Sequence, residues 1–377
     1  MFNFYSTAGL IFGNETSLNS CSQIIDTLGK NIFVISDRGL TELGLIEPTI
    51  KKLKKNCNIK IFNDVESDPS KKTLLNAFND AREFESTGVL GFGGGSSMDV
   101  AKLVSLLLGS NQKIETIWGV NNAKGPRLPR VRIPTTAGTG AETEITAMVT
   151  YLKEGMKFCM WHPDVRPSLA LIDPELTIGL PANLTAWTGV DALIHGIEGY
   201  CVPGFNPLCD GAALEGLSLI SKSLVTAVEQ PDSILARGGM HVGSCLAGIS
   251  FLKGLGNVHS ISHVVGAEYN THHGLTNAIV LPVVLRFNLP GMEEKVQRMS
   301  QAMQYKDHSV DAFIKNMEDL LDRVKIPKSL SELNVPEDSA ARIAEKAMKD
   351  QAYGQNPKKV SFEEMKEMVL QSIKKAR

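Results

Sequence analysis

What the chain lacks narrows its class first. There is no basic excess, since 39 Lys and Arg stand against 41 Asp and Glu for a formal charge of −2. A nucleic-acid binder needs a cationic surplus to displace counterions from phosphates, so no nucleic-acid partner is expected. No uninterrupted apolar run reaches the ~18 residues of a bilayer span, and the opening "MFNFYSTAGLIFGNET" lacks the basic start, apolar core and cleavage site of a signal peptide. The expectation is therefore a cytoplasmic protein without a membrane partner. Six cysteines (Cys21, Cys57, Cys159, Cys201, Cys209, Cys245) show no C-x-x-C spacing, which argues against a zinc ribbon and for reduced thiols. Internal repeats and low-complexity segments are missing too.

The 377 residues exceed the ~250–300 at which a single core stops growing, which predicts two domains. In the first half, short β-rich runs alternate with amphipathic segments: "NIFVIS" (31–36), "KIFND" (60–64), "GVLGF" (88–92), "VRIPTT" (131–136) and "LALID" (169–173). That alternation predicts a mostly parallel sheet wrapped by helices. Past "GLPANLTAW" long helical patterns follow one another. The boundary falls near residues 181–184, giving an α/β domain over 1–182 and a helical domain over 183–377.

Four of the five residues 91–95 are glycine, in "GFGGGSSMDVAK". A strand precedes them and helical spacing follows, so they occupy a strand-to-helix turn. A helix starting at Ser96 or Ser97 would aim free N–H groups and its positive dipole end over the loop, which suits a phosphate. Close packing alone would also demand glycine here. Ser96 stands where G-x-G-x-x-G carries its last glycine, and no G-K-[ST] follows, so neither of the two commonest phosphate loops is present. Asp37, directly after "NIFVIS", could accept hydrogen bonds from an adenosine ribose and repel a 2′-phosphate, or it could simply cap the next helix. A second small-residue loop, "IPTTAGTGAETE", offers the hydroxyls of Thr135, Thr136 and Thr139, although such loops are also ordinary surface connections.

The helical half carries the most specific pattern. Asp191 and His195 in "GVDALIHGIEGY" are four apart, as are His259 and His263 in "GNVHSISHVVGAEYNTHHG", where His272 and His273 follow. Residues so spaced share one helix face. Five of the eight histidines fall in these two segments, which favours a metal site over isolated core histidines.

Together "GGGSSMDVAK", "PTTAGTGAETE", "LIDPELTIGLP", "TGVDALIHGIEGY" and "GNVHSISHVVGAEYNTHHGLTNAIVLP" resemble the iron-containing (group III) alcohol dehydrogenase family, in its order and spacing over most of the chain. The resemblance implies a Rossmann-like N-terminal dinucleotide-binding domain and a helical metal-binding domain, the dehydroquinate synthase-like fold, with a divalent metal in the cleft between them. It implies Asp191, His195, His259 and His273 as metal ligands and His263 as a proton-relay residue. The NAD(H) residues would be Asp37, Asp68, Gly94, Gly95, Ser96, Ser97, Thr135, Thr136 and Thr139, with Asp99 shaping the site and Lys157, Leu176 and Leu180 closing over it.

Three histidines and a carboxylate can hold Fe2+, the first expectation, or Zn2+, and leave a position for a substrate oxygen. Such an ion supplies Lewis acidity, and the nicotinamide exchanges hydride with a small primary alcohol or its aldehyde. A homodimer is implied by the resemblance, with "FNFYSTAGLIFG" as a contact segment. The family usually has proline where this chain has His272, which leaves open a shift of the ligand by one. It often has phenylalanine and asparagine where Ser250 and Leu252 stand, and commonly asparagine at Asp68. Lys253 and His272 would reach solvent and pack in a turn, respectively. If either faced the site, a short anionic compound such as 4-hydroxybutyrate or succinic semialdehyde would be favoured. A dehydroquinate-synthase-like lyase would need a basic site for a phosphorylated acid, and a non-enzymatic metal or nucleotide binder would not need both motifs.

Overall fold

The structure is a computed structural model that describes Phe2, Phe4 and residues 9–151 and 156–377. The chain divides into two compact units. One comprises Tyr5–Thr136 and Gly140–Ile178; the other comprises Met1–Phe4, Ala137–Thr139 and Gly179–Arg377.

The strands of the first unit are, in chain order, β1 (Leu10–Phe12), β2 (Asn31–Ile35), β3 (Asn58–Phe62), β4 (Gly88–Gly93), β5 (Gly119–Val120), β6 (Arg130–Pro134), β7 (Thr146–Tyr151), β8 (Met156–Trp161) and β9 (Leu169–Ile172). Six of them form a sheet in the order β1-β9-β6-β4-β2-β3, with every neighbouring pair parallel. Parallel strands are covered on both faces and read as continuous apolar runs, as "GVLGFG" does with all six residues buried. The five runs read from the sequence are all strands, displaced by no more than two residues at either end. Missed were β1, whose three residues carry almost no pattern, and a second sheet, β5-β8-β7, in which β7 and β8 pair antiparallel.

The strand order reverses between β2 and β4, because β3 was added on one side of β2 and β4 on the other. Such a switch point opens a crevice at the carboxyl ends of two adjacent strands. Asp37 lies at the end of β2 and the glycines at the end of β4. The helix after β4 runs over Gly95–Ser110 with Gly94 as its N-cap, so it starts one to two residues earlier than expected. None of Gly91, Gly93, Gly94 and Gly95 has positive φ. Close approach explains two of them. A Cβ on Gly91 would lie 3.0 Å from the Ala101 Cβ, and one on Gly93 would lie 2.7 Å from the Ser97 hydroxyl.

An ionic strut ties this helix to the second sheet. Lys102 is fully buried and donates to Asp99 Oδ1 at 2.8 Å, to the Thr146 carbonyl at 2.7 Å and to the Glu144 carboxylate. The other oxygen of Asp99 accepts from Met148 N at 3.0 Å in β7.

Among the described residues of the second unit nine α-helices follow one another, the longest being Ala182–Cys201, Pro207–Glu229 and Ile234–Ser250. Their core includes Val190, Leu193, Leu217, Leu224, Ile261 and Ile279. The second and third helices approach closely through Gly216 and Gly243; a Cβ on Gly216 would sit 3.1 Å from the Gly243 carbonyl oxygen. Among the described residues Pro207–Glu229 is the one helix long and apolar enough to cross a membrane. It nonetheless buries Cys209, Ala213, Leu217, Ile220 and Leu224 among its neighbours.

Lys102→Met is expected to lower unfolding free energy by about 3–5 kcal/mol, because it leaves the buried Glu144 without its ammonium. Urea unfolding of the variant checks this, and an unchanged midpoint would contradict the strut.

Candidate active site

Three helices of the helical unit bring four metal-competent side chains together. Asp191 and His195 project from one face of Ala182–Cys201, His259 comes from Asn257–Tyr269, and His273 opens His273–Asn288. One ligand atom from each lies within 4.8 Å of the others. Asp191 Oδ1 is 3.8 Å from His195 Nε2, 3.9 Å from His259 Nε2 and 3.7 Å from His273 Nε2. A tetrahedron with bonds of about 2.1 Å has edges of about 3.4 Å, so the spacing suits a small divalent cation after slight contraction. Burial lowers the pKa of His195 to about 4 against the opposing pull of Asp191, which keeps that imidazole neutral with a lone pair to offer. The donor set fits the implied metal.

Glu198, absent from the expected site, organises the cluster. Its carboxylate accepts from Gly256 N at 3.1 Å and Val258 N at 2.8 Å, and meets His259 Nδ1 at 2.6 Å. Gly256 caps the Asn257–Tyr269 helix without a side chain of its own, so an acid from another helix satisfies the exposed N–H groups at that end. A Cβ on Gly256 would lie 2.8 Å from Glu198 Oε1, which accounts for the glycine. With Nδ1–H donated to Glu198, His259 turns the lone pair of Nε2 toward the other donors. Burial works against charge on His259, but the Glu198 hydrogen bond and the surrounding carboxylates outweigh it and raise its pKa.

Asn277 is a second residue missed. It is fully buried one turn beyond His273, and its Nδ2 lies 2.7 Å from Asp191 Oδ1, 3.2 Å from His259 Nε2 and 3.1 Å from His273 Nε2. Gly274 lets the helix start there, since a Cβ would meet the Trp187 carbonyl oxygen at 2.4 Å.

His263 stays outside the four-donor set. Its ring stacks on His273 at 5.5 Å between centroids, and its Nδ1 meets Asp350 Oδ2 at 2.9 Å. His272 caps the His273–Asn288 helix, its Nδ1 accepting from Leu275 N at 3.4 Å, and its ring lies 5.0 Å from that of Trp187. The structure thus brings His273, and not His272, to Asp191. Lys253 neither reaches for solvent nor carries an unpaired charge: its side chain is 4% exposed and forms a 2.6 Å ion pair with Asp210. Ser250 is buried and donates to the carbonyls of Ala247 and His195.

The α/β unit holds the other expected residues except Thr139 and Leu180, with Asp37 and the glycine loop at the carboxyl end of its sheet. Gly94, Gly95 and Ser96 are partly exposed at the helix start, whereas Ser97 is buried beneath Gly93. Thr135 N donates to the Gly93 carbonyl at 3.0 Å, joining the two loops, and Thr136 lies 3.6 Å from where a Gly94 Cβ would be. Asp68, in the left-handed region at φ 54°, donates its N–H to the Ser96 hydroxyl at 3.3 Å and accepts from Lys157 Nζ at 2.6 Å. Asp37 caps the helix Arg38–Glu42 by accepting from Leu40 N at 3.0 Å, which is the plainer of its two expected roles. Asp99 has both carboxylate oxygens committed to the Lys102 strut, so it shapes the unit from within. Leu176 packs against the sheet core. Thr139 and Leu180 belong to the helical unit, where the Leu180 carbonyl accepts from Thr185 and Arg237.

The chain is similar to known proteins along almost its whole length. Residues 8–174 match the family described as iron-containing alcohol dehydrogenase, and residues 185–373 match the C-terminal part of the Fe-containing alcohol dehydrogenase family. The 4-hydroxybutyrate dehydrogenase of Cupriavidus necator is 33% identical over 388 aligned residues, covering 99% of this chain and 100% of that protein. The NAD-dependent methanol dehydrogenase of Bacillus methanolicus is 30% identical, with the same coverage of 99% and 100%. A crystal structure of a 1,3-propanediol oxidoreductase superposes with a TM-score of 0.94 at 30% identity, covering 99% of this chain and 100% of that one.

Glu198→Gln is expected to weaken the affinity of the four donors for a divalent cation by about 10–100-fold, because it removes the charge and leaves one acceptor oxygen for the three N–H groups that Glu198 takes. Competition with a chromogenic chelator measures this. Unchanged affinity would show that Glu198 serves the helix cap alone.

Proposed function

Because the chain belongs to the iron-containing alcohol dehydrogenase family, we propose that it interconverts small primary alcohols and their aldehydes with NAD(H), using a divalent cation held by Asp191, His195, His259 and His273. The observation that carries this reading is the convergence of those four donors, three of them buried and His273 partly so, from three helices. A bound Fe2+, or Zn2+ in its place, supplies Lewis acidity at the substrate oxygen, while NAD+ supplies the hydride acceptor.

The protein's own residues do the rest. Glu198 fixes the tautomer of His259, and Asn277 holds Asp191 in place. Oxidation of an alcohol also releases a proton, and His263 Nε2 is assigned to take it, with Asp350 holding the proton on Nδ1. In this reading residues 1–182 bind the dinucleotide and residues 183–377 carry the metal. The partly exposed Gly94, Gly95 and Ser96 at the helix start are assigned to the pyrophosphate, and Thr135, Thr136 and Thr139 are assigned to the dinucleotide as well. Asp37, whose cap uses one carboxylate oxygen, has the other for a ribose hydroxyl and favours NAD over NADP. Asp68, Ser96 and Lys157 form one hydrogen-bonded group beside the loop.

A neutral short-chain substrate remains the first choice. The similarity to a 4-hydroxybutyrate dehydrogenase supports an anionic hydroxy compound or semialdehyde as the second reading. Pairing of Lys253 with Asp210 withdraws the one lysine that would have favoured it. A cytoplasmic homodimer is part of the proposal. Its support is the edge strand β1, where Leu10 and Phe12 are 45% and 47% exposed. Of the expected contact segment, Asn3 and Tyr5 to Ala8 lie outside the described residues.

Chelation should abolish NADH formation from C2–C6 primary alcohols, and Fe2+ or Zn2+ should restore it. His259→Ala should lose metal and activity together, whereas His263→Ala should keep stoichiometric metal and lose about 10²–10⁴-fold in kcat. Turnover by metal-free protein would overturn the reading, and loss of metal from His263→Ala would make that residue a ligand.

A further inference from the structure

At the opposite end of β6 from the glycine loop, the α/β unit holds a second polar cavity that the dehydrogenase chemistry does not use. It measures about 340 Å³, and Arg127, Arg130, Arg166, Asp164 and Ser168 line it. Three guanidinium groups thus face a single carboxylate among the described residues. That carboxylate is a weak partner, since Asp164 is 58% exposed and its Oδ2 lies 3.6 Å from Arg127 Nη2.

Arg127 is the telling residue. Its side chain is only 6% exposed, yet Nε and Nη1 are buried without a hydrogen-bond partner. Leaving donors of a cationic group dry and unmatched is costly, so such atoms point to something that accepts from them. The arginine is also held in place. Leu128 N donates to the Ser105 carbonyl at 3.1 Å, and the Ser105 hydroxyl donates to the Leu128 carbonyl at 2.6 Å. Gly109 lets the Pro126–Arg127 backbone lie against the helix, because a Cβ there would meet the Pro126 carbonyl oxygen at 2.6 Å.

Arg130 and Arg166 are anchored too. Arg130 donates through Nε to the Val165 carbonyl and through Nη1 to the Leu128 carbonyl, both at 3.1 Å, and Arg166 Nε donates to the Pro163 carbonyl at 2.7 Å. Burial first, then the neighbouring charges of Arg132 and Arg127, lower the pKa of Arg130 to about 9. With three guanidinium groups against one exposed carboxylate the cluster is electropositive, and an anion would relieve it.

We propose that this cavity is an oxyanion site that binds a phosphate group, either free phosphate or the phosphate of a small monoester, through Arg127 with Arg130 and Arg166 beside it. The fork of a guanidinium matches two phosphate oxygens, and three of them outweigh the one exposed carboxylate. The site is independent of the dinucleotide and metal assignments above, and it lies at the amino end of the strands, away from the switch point.

The test is titration calorimetry of the full chain at low ionic strength with saturating NAD+ present, using inorganic phosphate, glycerol 3-phosphate and a chloride control. Saturable binding of one phosphate compound per chain is expected, and whichever of the two binds more tightly identifies the source. Arg127→Met should weaken it by about tenfold or more, and Asp164→Asn, which removes the competing acid, should tighten it severalfold. Absence of saturable binding to both compounds would overturn the proposal, as would an unchanged dissociation constant in Arg127→Met. Should that variant fail to fold, unchanged or weaker binding by Asp164→Asn would overturn it instead.

Discussion

The helical unit depends on one carboxylate that is not itself among the four converging donors. Glu198 takes two backbone N–H groups and one imidazole N–H, and so joins the Ala182–Cys201 helix to the start of the Asn257–Tyr269 helix. Without an acceptor there, the end of a buried helix would hold unmatched donors, and His259 would be free to turn its lone pair away. Secondary structure, packing and ligand geometry are settled by the same interaction. Gly256 and Gly274 belong to the same arrangement, because each removes a side chain where two helices meet closely. Asp191, His195 and His259 can then be buried in an apolar bundle, where a cation gains most from them and where they are least tolerable without one.

The α/β unit follows a different constraint. Its sheet is covered on both faces, so the loops at strand ends are the places left for polar chemistry, and the switch between β2 and β4 decides which loops meet. The Asp99–Lys102–Glu144 group, with Lys102 and Glu144 buried, fastens the helix that follows the glycines to the second sheet. That fastening steadies the helix behind the loop proposed for the pyrophosphate.

Much of this was legible in the sequence, for physical reasons. Continuous apolar runs such as "GVLGFG" mark buried parallel strands whatever surrounds them, and four-residue spacing puts Asp191 and His195 on one helix face by geometry alone. Glu198 was readable in principle, as an acid three residues past His195 in an otherwise apolar helix. Asp350 was not, because 87 positions separate it from His263 and only tertiary structure joins them. Asp37 shows the limit of local reading, since an acid after a strand is both a helix cap and a ribose acceptor, and its cap is what the fold displays. Lys253 shows the opposite error. Its charge drew attention beside the site, but its partner Asp210 sits on a different helix, and no local pattern pairs them. The second sheet escaped because β5 has only two residues and β7 and β8 are only partly buried, so none of the three is a continuous buried apolar run.

The central claim is that Asp191, His195, His259 and His273 form one divalent-cation site, with His273 rather than His272 completing it. Anomalous diffraction at the iron edge, from crystals of the Fe2+-loaded full chain, tests this most directly. The account predicts one anomalous peak per chain in contact with all four side chains and with neither His263 nor His272. A peak held by His272 or His263 in place of His273, or no ordered iron among these donors, would contradict it.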